Sequence, residues 1–332
     1  MDRRFFIKNT ALLTLAGLGS GLSLSARAAA VPDEIRLDYA YYSPTSLVLK
    51  RFGWLEEQVK SSGIKVKWTL SQGSNRALEY LSANSIDFGS TAGLAAVLSR
   101  ANGNPIKSVY VYSRPEWTAL LVPKDSPIKT VADLKGKKIA ATKGTDPYLF
   151  LLRTLKANGL KKSDVEIVHL QHADGRAALE SGRIDAWAGL DPHMASSELQ
   201  AGSRLLYRNV AFNTYGFLNV TEDFAKKYPE QVKQVLQAYE RARLWILANP
   251  REASQIQADE AKISLAVAKV QFNRNDFSNP YIGREHREAL QAAAPILLQE
   301  DLVKKGTDLN KVINDLIDPS FVQTLTPKKS AA

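Results

Sequence analysis

An alternation of strand patterns with helix patterns is the feature that most constrains the fold of this chain. It begins at residues 35–39, which alternate apolar and polar side chains as a half-buried strand does. The next elements are a helix from Ser43-Pro44 towards Glu57, a strand at 64–70, a helix at 74–83 and a strand starting at 86–89. Because helices directly follow strands, this βαβαβ unit predicts a mainly parallel sheet with helices on both faces.

The same alternation returns about a hundred residues later. Its elements are a strand at 138–142, a helix at 147–158, a strand at 165–170, a helix at 175–181 and a strand at 184–187. The identity between the two units is low, so the repeat indicates a shared architecture rather than a demonstrated duplication. Two such units predict an α/β protein with two lobes and a ligand cleft between them.

Two strand-like runs, 118–123 and 215–220, flank the second unit and are predicted to be hinge crossovers between the lobes. Lobe 1 is then expected to comprise residues 33–118 and 220–326, and lobe 2 residues 122–216. The pattern after Thr221 is helical, and its longer predicted helices are 229–248, 250–260 and 284–302. These helices are expected to pack on lobe 1.

The first 28 residues have the three parts of a removable signal peptide. Charged residues come first, a weakly apolar stretch follows, and Ala26-Arg27-Ala28 ends it. Glycines and serines interrupt the stretch well short of the roughly 20 residues that a membrane span needs. The pair Arg3-Arg4 before Phe5 favours the twin-arginine route, with general export as the alternative.

Cysteine is absent from the chain. Disulfides, thiol nucleophiles, cysteine metal sites and N-terminal lipidation are therefore excluded. We expect a periplasmic, exported protein that is soluble and not lipidated. Without residues 1–28 it keeps one sulfur-containing residue, Met194, which sulfur shortage would favour and chance also gives.

The formal net charge of +10 falls to +7 without the leader, since four positive side chains and one negative side chain are removed. A positive field attracts anions. The lysines and arginines are scattered rather than clustered with aromatic residues, so a nucleic-acid partner is not expected. A surplus of surface lysine without function remains the alternative.

The candidate binding residues lie where strands end and helices begin, because helix starts present free N–H groups and a positive dipole end. Ser43-Pro44, Asp146-Pro147 and Asp191-Pro192 each place a capping residue before a proline. The segments Ser71-Gln72-Gly73-Ser74 and Ser90-Thr91-Ala92-Gly93 follow strands of lobe 1. These donors predict an anion site on lobe 1, although each cap alone is also explained by ordinary capping.

Lobe 2 differs, because Asp146 and Asp191 would repel a second anionic group there. We expect this lobe to contact the organic body of the ligand or a cationic group. Aromatic side chains near the predicted cleft are candidates to stack on that body, with core packing as the alternative: Tyr41, Tyr42, Trp117, Tyr148, Trp187 and Tyr215. Arg114 and Lys143 are candidates to pair with the anionic head, or are solvated surface residues.

Enzymatic function is not predicted. Of the four histidines only His169 and His172 are close in sequence, and their alternation along a strand is poor for joint metal binding. Nucleophile-elbow, zinc-protease, Walker and dinucleotide motifs are missing. Asp87 and Asp185 occupy equivalent places in the two units and are interpreted as structural. No catalytic residue, metal or cofactor is therefore expected.

Several longer segments carry a family resemblance: Ala77-Leu78-Glu79 with residues 86–89, then 122–128, 131–140, 143–145, and 184–187 through Asp191-Pro192. With these segments the chain resembles the aliphatic sulfonate, taurine and nitrate binding family of ABC transporter substrate-binding proteins. The resemblance implies the type II periplasmic-binding fold, hinge closure around one ligand, and delivery to a transmembrane permease with a cytoplasmic ATPase. A monomer is expected.

The resemblance also implies a set of pocket residues: Tyr42, Ser43, Gln72, Gly73, Thr91, Ala92, Ser113, Lys143, Gly144, Thr145, Asp146 and Asp191. Similar sulfonate binders have Gly-Asp where Ala92-Gly93 stands and Gln-Lys near Tyr42-Ser43. The two tyrosines here favour a bulkier or aromatic sulfonate or sulfate ester, taken up for its sulfur. Nitrate, taurine, a thiamine-precursor-like heterocycle, or an enzyme of the same fold acting on a small metabolite remain the alternatives.

Overall fold

The fold is seen in a computed structural model, which describes residues 31–325. The predicted signal peptide at residues 1–28 lies outside the described residues. The strands are β1 Glu34–Tyr39, β2 Lys65–Leu70, β3 Phe88–Ala92, β4 Ile106–Pro115, β5 Leu120–Val122, β6 Lys138–Ala141, β7 Glu166–His169, β8 Ala186–Ala188, β9 Arg204–Tyr207, β10 Gly216–Thr221 and β11 Asn275–Asp276.

The helices connect these strands and then form the last third of the chain. They are α1 Pro44–Phe52, α2 Trp54–Val59, α3 Ser74–Ser82, α4 Gly93–Ala101, α5 Asp146–Ala157, α6 His172–Glu180, α7 His193–Ser196, α8 Glu222–Lys227, α9 Pro229–Ala248, α10 Pro250–Ala261, α11 Leu265–Asn273, α12 Arg284–Ala293, α13 Pro295–Gln299 and α14 Leu309–Leu316.

The strands form two sheets, which confirms the two-lobed α/β architecture. One sheet has the order β11-β4-β10-β3-β1-β2 and the other β7-β6-β8-β5-β9. From here on, lobe 1 is the part built on the first sheet and lobe 2 the part built on the second. Fewer strand pairs are parallel than the sequence predicts. The parallel pairs join β1 to β2 and β3, and β6 to β7 and β8.

Most of the remaining pairs are antiparallel because the strand that enters each sheet from the other lobe, β10 in lobe 1 and β5 in lobe 2, runs against the βαβαβ strands. β10 returns from lobe 2 and lies between β3 and β4, antiparallel to both. β5 lies antiparallel to β8 and β9 in lobe 2. Most of the runs 118–123 and 215–220 is therefore strand, and residues 116–119 and 208–215 link the two sheets. The hinge role of these links stays a prediction.

Two predicted helices are each interrupted. The one that starts after Ser43 ends at Phe52, because Gly53 has a φ of 64° in the left-handed region, and α2 then begins. The one predicted at 284–302 is divided at Pro295 into α12 and α13, since proline begins a helix more easily than it continues one. Within residues 31–325, no helix has both the length and the apolar character needed to cross a membrane.

Candidate functional site

A cavity of about 350 Å³ lies between the two lobes. Lobe 1 lines it with Tyr41, Tyr42, Ser71 and Gln72, and lobe 2 with residues 171–174 and 190–193. Its volume is within the range of small-molecule sites. The predicted cleft between two lobes is therefore present as a cavity.

Four helices begin at this cavity. Tyr41 and Tyr42 precede α1, Ser71 and Gln72 precede α3, residues 171–174 contain the start of α6, and residues 190–193 lead into α7. The first N–H groups of a helix have no partner within it and carry the positive end of its dipole. The cavity therefore lies at the positive ends of helices from both lobes.

The two lobes differ in how they treat these helix starts. α1 and α3 have no acidic residue in their first turns. α6 carries Asp174 in its first turn, and an Asp191 carboxylate oxygen accepts a bond from the Ala195 N–H of α7 at 2.9 Å. The positive potential is therefore retained on the lobe 1 wall and largely compensated on the lobe 2 wall.

Tyr42 is a largely buried residue of the lobe 1 wall. Its hydroxyl donates to the Ser90 carbonyl oxygen at 2.8 Å, and its ring meets the Trp117 ring edge-on at 5.9 Å. The neighbouring Tyr41 carbonyl accepts bonds from the side-chain amides of Gln257 at 2.9 Å and Gln271 at 2.7 Å. The double-tyrosine segment is thus fixed to α10 and α11.

Asp38 is fully buried within lobe 1, close to Tyr42. One of its carboxylate oxygens accepts a bond from the Ser90 N–H at 2.8 Å. Burial raises the pKa of this carboxyl to about 7, against the lowering effect of the bond from Ser90. Its charge counts in turn among the causes that raise the pKa of the buried Tyr42 phenol, after burial itself.

His172, the first residue of α6, is buried on the lobe 2 wall. Its Nδ1 lies 3.1 Å from the Thr142 hydroxyl, which also lies 2.7 Å from the Leu170 carbonyl oxygen. Burial, helped by the nearby His193, lowers the pKa of His172 to about 3. Burial also lowers the pKa of His193 to about 4, with Arg176 contributing. Both rings are therefore neutral at pH 7.

Asp191 is the point where the two lobes are joined by charge. The Arg274 guanidinium, just before β11 of lobe 1, lies 3.3 Å from both Asp191 oxygens and 2.6 Å from a Glu198 oxygen. Burial raises the pKa of Asp191 to about 6, although Arg274 opposes this. The predicted repulsion of anions from Asp191 is thus reduced by an arginine that sequence reasoning missed.

Asp146 does not line the cavity. Its carboxylate accepts bonds from Trp117 Nε1 at 3.0 Å, the Thr214 N–H at 2.8 Å and the Thr214 hydroxyl at 2.8 Å. Trp117 lies in one inter-sheet link and Thr214 in the other. Asp146 and Trp117, both predicted as ligand contacts, therefore hold the two links against the start of α5.

Tyr41, Tyr42, Gln72 and Asp191 are the predicted site residues that line the cavity. Gly73 lies at its edge, where an added methyl group would stand 2.9 Å from His172 Nε2. A further group is buried outside the lining: Ser43, Ser90, Thr91, Ala92, Ser113 and Thr145. The cavity that we expected Ser43, Gln72, Thr91 and Thr145 to share is thus reached by Gln72 alone.

Bonds within the protein explain why three of these residues are not at the surface of the cavity. The Thr91 hydroxyl accepts from the Asn219 side chain of β10 at 2.7 Å, and the Ala92 N–H donates to the Ser74 hydroxyl at 2.9 Å. The Thr145 hydroxyl donates to the Thr142 carbonyl oxygen at 2.6 Å. Of these bonds, the one to Ser74 fixes the first residue of α3, which begins at the cavity.

The remaining predicted residues lie elsewhere. Trp187 is in the core of lobe 2 under α6, where an added methyl at Gly175 would stand 2.6 Å from its Nε1. Tyr148 is buried and meets the His169 ring edge-on. Tyr215 packs on His286 at 4.2 Å between ring centres, and Arg114 lies over the Tyr215 ring.

Lys143 and Gly144 line a separate surface groove with residues of α3 and α4. Neither Lys143 nor Arg114 lines the cavity, so the geometry does not place these cations for the predicted pairing with an anionic head.

The lobe 2 wall was largely missed from sequence because its helix was predicted to start too late. The expected start at Gly175 left His172 and Asp174 in a loop, whereas α6 begins at His172. The signal that could have found them is positional: Gln171 follows the second strand of its unit as Gln72 follows the second strand of lobe 1. His193 and Leu190 flank Asp191-Pro192 and are located by the same reasoning.

The family model described as "NMT1/THI5 like" matches residues 52–253. The chain is 31% identical over 310 residues to a putative aliphatic sulfonates-binding protein of Escherichia coli strain K12, covering 92% of this chain and 97% of that protein.

Two solved structures share the fold at similar identity. An alkanesulfonate-binding protein from Xanthomonas axonopodis pv. citri bound to MOPS superposes with a TM-score of 0.79 and 27% identity, covering 86% of this chain and 99% of that one. A periplasmic aliphatic sulphonate binding protein from Escherichia coli has a TM-score of 0.75 and 28% identity, covering 87% and 94%. Both support the two-lobed periplasmic-binding fold.

Proposed function

Since this chain belongs to the NMT1/THI5-like family, we propose that it is the substrate-binding component of an ABC importer and captures a small organic sulfonate or sulfate ester between its lobes. The observation that carries this proposal is the meeting of four helix starts at one cavity of about 350 Å³. Relatives named for binding sulfonates span nearly the whole chain and support the same ligand class.

The anionic head group binds on lobe 1. The starts of α1 and α3 keep their positive dipole ends free of acidic side chains, and Ser71 and Gln72 add a hydroxyl and an amide at the cavity surface. None of the cavity-lining residues in the described chain is a lysine or an arginine. Dipoles and hydrogen bonds without a full counter-charge hold a tetrahedral anion yet allow its later release.

The organic body of the ligand lies against the two tyrosines and lobe 2. Tyr41 and Tyr42 offer aromatic surface on which an alkyl or aryl group can pack. Closing the lobes brings residues 171–174 and 190–193 over the ligand, and Arg274 joins Asp191 and Glu198 across the cleft. Residues 116–119 and 208–215 serve as the hinge.

The proposed cellular role rests on the leader sequence and on the sulfonate-binding relatives. The protein is exported to the periplasm by residues 1–28, is not lipidated, and delivers its ligand as a monomer to a transmembrane permease with a cytoplasmic ATPase. It acts by binding and release rather than by catalysis. The lack of cysteine excludes a thiol nucleophile.

Isothermal titration calorimetry of the protein lacking residues 1–28 tests the proposal. We expect at least one alkanesulfonate or aryl sulfate to bind in the micromolar range or tighter. Gln72→Leu, which removes a cavity amide, should weaken that binding about tenfold, while the control Lys143→Leu outside the cavity should not. Binding of nitrate or of a pyrimidine precursor of thiamine, without binding of any sulfonate or sulfate ester, would overturn the proposal.

A further inference from the structure

We propose that His172 is a specificity-determining residue whose Nε2 accepts a hydrogen bond from an N–H or O–H group of the captured ligand. The inference rests on the proposed function and refines it, because it states what the sulfonate must carry besides its anionic head. Three features of the site support this role: the tautomer of the His172 ring, the position of Nε2, and the hydrogen-bond acceptors around it.

The hydrogen bonds of Thr142 fix the ring tautomer. The hydroxyl of Thr142 has one hydrogen, and the Leu170 carbonyl oxygen, 2.7 Å away, can only accept it. The contact of 3.1 Å between the same hydroxyl and His172 Nδ1 must then use a hydrogen on Nδ1. In a neutral ring this leaves Nε2 with a lone pair, as an acceptor.

His172 Nε2 is buried and has no hydrogen-bond partner within residues 31–325. The nitrogen lies beside Gly73 of lobe 1, next to Gln72 at the cavity edge, as the 2.9 Å approach to an added methyl at Gly73 shows. An acceptor that is buried without a partner is costly in a folded protein. A ligand that enters the cavity can supply the missing donor.

The cavity wall around His172 carries further hydrogen-bond acceptors. Gln171 Oε1 is a second buried acceptor without a partner in the described part of the chain. Asp174 and Asp191 add carboxylates to the lining of this lobe. An ionised sulfonate presents only acceptor oxygens, so its head is disfavoured at this wall and is directed to the helix starts of lobe 1.

A ligand of the wrong kind therefore leaves acceptors unsatisfied. A site built to hydrogen-bond a polar group of its ligand rejects an analogue that lacks the group far more strongly than an apolar pocket rejects an added hydroxyl. His172 should thus favour sulfonates with an amino or hydroxyl group over plain alkanesulfonates of equal size. The carboxylate of Asp174 favours the amino group further.

Three ligands of matched size test this by calorimetry at pH 7: 2-aminoethanesulfonate, 2-hydroxyethanesulfonate and 1-propanesulfonate. We expect the first two to bind at least about tenfold more tightly than the third. His172→Leu should reduce this preference, measured as the ratio of the 2-aminoethanesulfonate and 1-propanesulfonate affinities, to less than about threefold. His169→Leu is the matched control, since His169 lies outside the cavity lining, and it should keep the preference.

Asp174→Asn distinguishes an amino donor on the ligand from a hydroxyl donor. It should lower the ratio of 2-aminoethanesulfonate affinity to 2-hydroxyethanesulfonate affinity about tenfold. Because His172→Leu also removes a buried contact to Thr142 and could impair folding, nitrogen NMR of the unaltered protein gives a readout without substitution. We expect hydrogen on Nδ1, none on Nε2, and an Nε2 signal that shifts when 2-aminoethanesulfonate binds.

The outcomes are distinguishable. Equal binding of the three ligands, a preference that survives His172→Leu, or a hydrogen on Nε2 in the free protein would overturn the role of His172 and leave the proposed function intact. Failure of every sulfonate and sulfate ester to bind would instead remove the proposed function and this inference together.

Discussion

At Gly73 the backbone of lobe 1 lies against the His172 ring of lobe 2. Its φ of 162° is extended backbone that other residues also adopt, so its constraint is steric. An added methyl would lie 2.9 Å from His172 Nε2 and 3.2 Å from His172 Cδ2. The side chain of Asn75, whose Oδ1 would be 2.8 Å away, can rotate, whereas the His172 ring is held by Thr142.

Gly73→Ala should therefore resist closure and weaken the binding of 1-propanesulfonate, a ligand that does not need the His172 acceptor. We expect a loss of about tenfold by calorimetry with little change in thermal stability, because the clash can be relieved by opening the lobes. The double variant Gly73→Ala/His172→Ala should recover most of the affinity. Undiminished binding by Gly73→Ala would show that this contact does not limit closure.

Asp38 gives a residue-scale prediction about pH. Its folded-state pKa of about 7 lies above the unfolded value near 3.9, so the folded protein holds the proton more strongly. The contribution of Asp38 to stability is fully present below pH 4 and is lost as the pH rises to about 7, by roughly 1.4 kcal/mol per pH unit.

Asp38→Asn keeps an oxygen to accept the Ser90 N–H but does not ionise. Urea unfolding should show that this variant gains stability relative to the unaltered protein between pH 4.5 and pH 7. For the control Asp133→Asn the difference from the unaltered protein should stay constant over this range, since bonds from the Lys129 and Thr130 N–H groups lower the pKa of Asp133 and keep its titration below pH 4.5. A constant difference for Asp38→Asn would mean that the carboxyl ionises normally.

At the scale of elements, the start of α5 holds both links between the sheets. Asp146 is buried and accepts bonds from Trp117 and Thr214, which lie in different links. The links also bind each other, because the Thr118 N–H donates to the Asn213 side chain at 2.8 Å. An aspartate at a helix start is therefore used here to fix the crossover segments.

Asp146→Ala should destabilise the protein by about 2 to 4 kcal/mol, because it leaves several buried donors without an acceptor. Urea unfolding measures this loss. The control Asp185→Ala removes one bond, from the exposed Lys138 N–H at 2.8 Å, and should cost less than about 1 kcal/mol. Similar losses for the two variants would contradict the clamping role of Asp146.

Elements with local signals were predictable from the sequence. Pro229 begins α9 and Asn249-Pro250 ends it, so its bounds agree with the prediction. β4, β9, α4 and α14 were not predicted. β4 pairs with β10 and β11, each a hundred residues or more away in the sequence, and no local pattern reveals such pairings.

At the scale of the whole molecule, the existence of a cavity between the lobes could be predicted from the sequence, but most of the residues that line it could not. Helix starts at the ends of parallel strands located Gln72 and Asp191. Whether a given side chain faces the cavity or braces its wall depends on three-dimensional partners, such as Asn219 for Thr91. Arg274 reaches Asp191 from a segment 83 residues later, which sequence spacing does not indicate.

The central claim is that a sulfonate binds between the lobes with its head on the helix starts of lobe 1. A crystal structure with 2-aminoethanesulfonate or 1-propanesulfonate tests it most directly. We expect sulfonate oxygens within hydrogen-bond distance of the first N–H groups of α1 or α3 and of Ser71 or Gln72, with the rest of the ligand towards His172. A sulfonate bound outside this cavity, or with its head on Asp174 and His172 of lobe 2, would contradict the account.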